Sequence, residues 1–139
     1  MRLRDLKLTD YRNCRKIDID LDFDKILIVG KNAQGKTNIL ESIYFLSALK
    51  SPRTSNNIEL INFNSDKTII DCNASKSDTD IELDFSYSKE KKRELAINKV
   101  KTTPKNFKSV LKTVLFSTSD LLLLRGNPSE IGRASCRER

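Results

Sequence analysis

The sequence predicts an α/β fold: a P-loop core with an attached antiparallel β subdomain. Four observations predict it. Residues 26–29, Ile-Leu-Ile-Val, form an apolar run suited to a strand buried on both faces. The run leads into Gly30-Lys31-Asn32-Ala33-Gln34-Gly35-Lys36-Thr37, which matches G-x-x-x-x-G-K-[ST] without a mismatch. Ile39, Leu40, Ile43, Leu46 and Leu49 then recur at helical spacing, so the motif sits between a strand and a helix as it must. Residues 67–100 change texture to short alternating strands.

Leu3, Leu6 and Leu8 among charges predict a first strand, and residues 9–13, Thr-Asp-Tyr-Arg-Asn, a polar turn. Ile17, Ile19, Leu21 and Phe23 alternate with Asp18, Asp20 and Asp22, the period of a half-buried strand. On such a strand the aspartates line one solvent face, and no EF-hand glycine or glutamate follows them. The P-loop strand and helix come next, the helix stopping near Lys50-Ser51-Pro52. Residues 53–57 form a polar loop and residues 58–63 a short apolar element.

In the meander, residues 68–74 predict one strand, and Ile81, Leu83, Phe85 and Tyr87 a second, with residues 75–80 turning between them. Lys89, Lys91, Lys92 and Arg93 make a charged turn before Leu95 and Ile97, and Asn98 suits a left-handed reversal. Residues 111–116 read as a strand returning to the core, and residues 120–124 as a short apolar helix or turn. The expected organisation is a P-loop core over 1–63, a meander over about 67–100 and a return over about 107–130.

The motif assigns chemistry to named residues. Gly30 lets the chain leave the strand, and Gly35 lets backbone N–H groups approach phosphate oxygens without a Cβ between them. Those N–H groups form an anion nest at the positive end of the following helix. Lys36 would reach the β- and γ-phosphates of a nucleoside triphosphate, and the Thr37 hydroxyl would be a ligand for Mg²⁺.

Composition narrows the class. The 139 residues are one domain's worth of chain. No apolar run reaches membrane-spanning length, and the N-terminus has no signal-peptide apolar region, which predicts a cytoplasmic protein with no membrane partner. Cys14, Cys72 and Cys136 lack metal-ligand spacing, and with no histidine neither a Ser-His-Asp triad nor a histidine-ligated zinc is available. The formal charge of +7 fits a polyanionic partner. Phosphate contacts would fall to exposed cations such as the Lys89–Arg93 run.

Several blocks together resemble the RecF family of DNA-repair ATPases. They are Leu8-Thr9-Asp10-Tyr11-Arg12-Asn13, residues 30–38 followed by Leu40-Glu41-Ser42-Ile43-Tyr44, and Arg53-Thr54 with Glu59-Leu60-Ile61. Val114-Leu115-Phe116-Ser117 with Asp120-Leu121, then Gly126-Asn127-Pro128-Ser129, extend the similarity over most of the chain. The resemblance implies an ABC-type head like those of SMC and Rad50 proteins, in which lobe I joins the P-loop core to an antiparallel β subdomain. It implies ATP and Mg²⁺ as cofactors, an ATP-dependent homodimer in which one head's signature motif completes the other's site, and slow DNA-stimulated hydrolysis. Implied partners are single-stranded and gapped duplex DNA, with RecO and RecR in recombinase loading.

By the same resemblance Gly30, Lys31, Asn32, Ala33, Gln34, Gly35, Lys36, Thr37 and Asn38 bind the nucleotide. Lys36 acts in catalysis, Asn32 stands near the γ-phosphate and Asn38 near the α-phosphate. Arg12 and Asn13 match a position that approaches nucleotide or DNA in related heads. Three residues depart from the pattern: Ala33 stands where glycine is usual, the block at Ser117 lacks a proline, and Asn98-Lys99 replaces Asn-Gly. No signature motif or Walker-B aspartate follows Leu124, so the chain is expected to be a truncated, amino-terminal part of a head, inactive alone. Residues 131–139 lose the resemblance and are expected to be a non-native or frameshifted tail. Two alternatives stay open: the head of another SMC/Rad50-like or overcoming-lysogenization-type ATPase, and a basic DNA-binding module with a structural nucleotide.

Overall fold

The computed structural model describes residues 1–76 and 79–117. Strands β1 (Arg2–Tyr11), β2 (Cys14–Asp20), β3 (Lys67–Lys76), β4 (Thr79–Ser88), β5 (Arg93–Ile97) and β6 (Val100–Lys101) form one sheet in the order β2-β1-β3-β4-β5-β6. Every pairing is antiparallel. Helices α1 (Lys36–Ala48) and α2 (Pro104–Val110) accompany it, with a 3₁₀ turn over Asn57–Leu60.

Alternation explains the sheet. Ile17, Leu8, Ile70, Phe85 and Leu95 stand opposite one another across five strands, and Ile19, Leu6, Cys72, Leu83 and Ile97 form the adjacent row. These rows make one apolar face, and Leu6, Leu8, Ile70, Leu83 and Phe85 on it are fully buried. Phe45 of α1 meets Phe85 edge-on, with ring centroids 4.8 Å apart and planes at 69°. Phe107 of α2 joins the same core. The opposite face is acidic: Lys7 pairs with Asp18 on one side and Asp71 on the other, and Asp71 stands across from Asp84. Burial, then Asp84 and Glu82, raise the Asp71 pKa; burial, then Glu82, raise that of Asp84.

Most strand expectations hold. The alternating aspartates face outward, although β2 ends at Asp20 and Phe23 is exposed. Asn98 (φ 51°) and Lys99 (φ 65°) both take the left-handed conformation, so Lys99 occupies the glycine position of the hairpin. Strands β3 and β4 run beyond the expected limits, and the turn between them at 77–78 lies outside the described residues.

Three expectations are corrected. Residues 26–29 form no strand: Leu27 is 86% and Val29 77% exposed, because no described strand runs beside them to accept their backbone bonds or cover their side chains. Residues 111–116 also form no strand, with Leu111 buried but Val114 and Phe116 exposed. The P-loop helix ends at Ala48, with Leu49 as a left-handed cap at φ 50°, before Pro52 is reached. Helix α2 has a readable signal that apolar periodicity does not catch: Thr103 caps it by accepting from the Asn106 N–H, and Pro104 fills the first turn. The block expected at 120–124 and the tail at 131–139 lie outside the described residues.

Candidate phosphate-binding site

Helix α1 begins at Lys36, and its N-cap is Gly35, which offers no side-chain cap. The first turn holds no acidic residue, so the helix's leading N–H groups have no side-chain acceptor. This end opens onto a cleft of about 860 Å³ lined by residues 32–38, together with Arg12, Asn13 and Arg53.

Gly35 is required for reasons the motif did not show. Its φ is +90°, and a Cβ there would stand 2.7 Å from Cys14 Sγ. The start of β2 therefore packs directly on the P-loop. Ala33 also takes a left-handed conformation, φ 65°, which explains why glycine suits that position.

Lys36 Nζ donates to the carbonyls of Gly30 and Lys31, each at 2.6 Å. An ammonium has three N–H bonds, so one remains for an external acceptor. Gly30 and Lys31 thus serve the site through their carbonyls and do not line the cleft. Thr37 is exposed on the cleft, and its hydroxyl has no protein partner among the described residues. Asn32 and Gln34 are exposed lining residues.

The remaining expected residues are brought to the cleft, but their side chains are occupied. Asn13 Nδ2 donates to the Ala33 carbonyl at 3.0 Å, and Asn13 Oδ1 accepts from Asn38 Nδ2 at 2.5 Å. Asn38 Oδ1 accepts from Arg53 Nη1 at 2.8 Å. Arg12, at φ 50° in the β1–β2 turn, donates from Nη2 to Glu41 Oε1 at 2.5 Å and from Nε to Glu41 Oε2 at 2.6 Å. Burial lowers the Arg12 pKa, but the bonds and charge of Glu41 outweigh it and the net shift is upward.

Glu41 is the residue that sequence reasoning missed. It is a carboxylate only 1% exposed, on the inner face of α1, and it also accepts from Ser51 and Arg53. Burial, then the Glu41 charge, push the Tyr11 phenol well above its ordinary value. The signal was a glutamate two residues after Ile39, where the apolar helix repeat begins. Phe63, 96% exposed and lining the same cleft, was also missed. In the basic run, Lys89 lines the cleft and is paired with Asp66 at 3.1 Å, and Lys92 is paired with Glu90.

A family model described as AAA ATPase domain matches residues 1–122. The DNA replication and repair protein RecF of Clostridium kluyveri is 39% identical over 129 residues, covering 92% of this chain and 35% of that protein. RecF of Clostridioides difficile is also 39% identical, over 131 residues, covering 94% of this chain and 35% of that protein. The chain therefore spans about a third of the length of the curated relatives it matches. Among solved structures, the recombination mediator protein RecF-ATPrS of the RecFOR pathway superposes with a TM-score of 0.81 at 27% identity, over 95% of this chain and 36% of that one. A chain from work on ATP-driven dimerization and DNA-stimulated activation of SMC ATPases reaches 0.80 at 16% identity, over 94% and 95%, a likeness of fold.

Proposed function

This chain belongs to the AAA ATPase domain family, and on that premise we propose that it forms the nucleotide-binding part of a RecF-like ATPase, holding ATP and Mg²⁺ on residues 30–38. One observation carries the reading: an uncapped helix N-terminus, free of acidic residues, opens onto the cleft beside a lysine with an N–H to spare. Such an end takes an anion, since its N–H groups and its dipole both favour one.

Each residue's part follows from its bonding. Lys36, held by two loop carbonyls, would contribute its remaining N–H and its charge to the β- and γ-phosphates. Asn13, Asn38 and Arg53 hold the loop's shape through their mutual bonds. Among the described residues no group of three acidic, cysteine or histidine side chains forms a cation cage. The exposed Thr37 hydroxyl, which lines the cleft, would be the side-chain ligand for Mg²⁺, and the ion would supply charge neutralisation at the phosphates.

The same reading extends to the whole protein. It would bind single-stranded and gapped duplex DNA, dimerise with ATP, and act with RecO and RecR in recombinase loading. The charge of +7 and the relatives' names, DNA replication and repair protein RecF and recombination mediator protein RecF, support this. Hydrolysis would need the signature motif of a second head, so the isolated chain should bind nucleotide and turn over little.

Calorimetric titration with Mg-ATP, of the natural chain and of Lys36→Ala, tests the proposal. Binding in the natural chain, weakened at least tenfold in the variant, is expected. Equal affinity in both would overturn the assignment. Gel shift with gapped DNA, with and without ATP, tests the wider reading: DNA affinity indifferent to ATP and to Lys36→Ala would favour a basic DNA-binding module.

A further inference from the structure

Phe63 is 96% exposed, and it lines the same cleft as the P-loop. Single exposed apolar residues are common, so exposure alone says little. What sets Phe63 apart is how firmly its neighbours are held. Ile61 makes a β-bridge to Tyr11, and the Asn62 N–H donates to the Asp10 carbonyl at 2.8 Å. The Asn62 side chain donates to the Arg12 carbonyl at 2.6 Å and accepts from the Asn64 N–H at 3.1 Å. The Ser65 N–H closes the turn onto the Asn62 carbonyl at 3.0 Å. An unpacked ring is thus carried on a fixed backbone, tied to the same β1–β2 turn whose Asn13 holds the P-loop at Ala33.

We propose that Phe63 is the stacking platform for the nucleobase of the bound nucleotide, with Ile58 as a second apolar residue lining the same cleft. This rests on the reading of the cleft as a nucleotide site. A cleft of about 860 Å³ exceeds what phosphates alone would fill and lies in the range of sites that enclose whole small molecules. An aromatic face on a held turn offers a base π-contact with little ordering cost. Because both polar ends of the Asn62 amide are committed, the contact recognises a flat aromatic ring and reads no base edge through that side chain. Stacking of this kind tolerates any base.

The test compares Mg-ATP, Mg-GTP and Mg-tripolyphosphate, which has no base, by calorimetry. Phe63→Ala should weaken ATP and GTP equally, by about tenfold, and leave tripolyphosphate unchanged. The ring is exposed, so the variant should fold as the natural chain does. Phe63→Trp should keep the affinity, and because the chain has no tryptophan its fluorescence reports the contact, quenched by ATP and not by tripolyphosphate. Unchanged ATP affinity in Phe63→Ala, or a loss confined to ATP, would overturn the platform. A natural chain that binds neither ATP nor tripolyphosphate would instead defeat the nucleotide-site reading itself.

Discussion

The Arg12 guanidinium holds the Glu41 carboxylate through two bonds of 2.5 and 2.6 Å, with the carboxylate 1% exposed. This pair couples the β1–β2 turn to the P-loop helix. The same turn reaches the loop itself through Asn13, and Arg53 bridges Glu41 to Asn38. The residues around the P-loop therefore form one hydrogen-bonded assembly with a buried charge at its centre. Removing one member of a buried pair leaves the other charged and unpartnered.

Glu41→Gln should for that reason destabilise the fold by about 3 kcal/mol, well beyond what a surface pair is worth. Nucleotide affinity should fall with it, because Arg12 and Arg53 lose their anchor. Urea denaturation and calorimetric titration measure the two effects. A change in stability under 1 kcal/mol would show that the pair is no anchor.

Gly35→Ala meets two obstacles, the φ of +90° and Cys14 Sγ at 2.7 Å from the new Cβ. Replacing Cys14 by alanine removes the second obstacle and leaves the first. Thermal unfolding of Gly35→Ala, Cys14→Ala, the double variant and the natural chain should show a coupling that favours the double variant. A residual loss of about 1–2 kcal/mol should remain from the left-handed backbone. Strict additivity would place the sulfur elsewhere.

Asp71 and Asp84 stand opposite each other on the acidic face, and burial first, then carboxylate neighbours, raise both pKa values above the usual 3.8. The native state therefore binds more protons than the unfolded chain just above pH 3.8, and their contribution to stability falls as pH rises through that interval. Asp71→Asn should be more stable than the natural chain at pH 7. The advantage should shrink as pH falls toward 3.8. Unfolding followed from pH 4 to pH 7 checks the sign, and a variant less stable at neutral pH would contradict it.

Period-two alternation sufficed for β2 to β5 because each strand has one buried face, and burial writes itself into every second residue; in β1 a register shift between Leu3 and Asp5 breaks the period, and the strand runs on through Tyr11, where a polar turn was expected. Residues 26–29 were equally apolar yet form no strand, since strand formation needs a hydrogen-bonding neighbour that the run does not contain. Helix α2 lay in a Thr-Pro cap, a local signal carried by two residues and easily passed over when periodicity is the guide.

The sequence by itself determined the P-loop, its lysine and threonine, and the helix that follows, because those requirements are local: a glycine, a cation and a helix end within eight residues. Only the tertiary structure decided what surrounds them. It bonded Arg12 to Glu41 and Asn13 to the Ala33 carbonyl at the edge of the cleft, buried Glu41 between two arginines, set Cys14 against Gly35, and brought Phe63 to the cleft. Each of these contacts joins residues at least 12 apart in the chain. Their geometry depends on sheet register and on the docking of Asn62 onto Asp10 and Arg12, which no short stretch of sequence encodes.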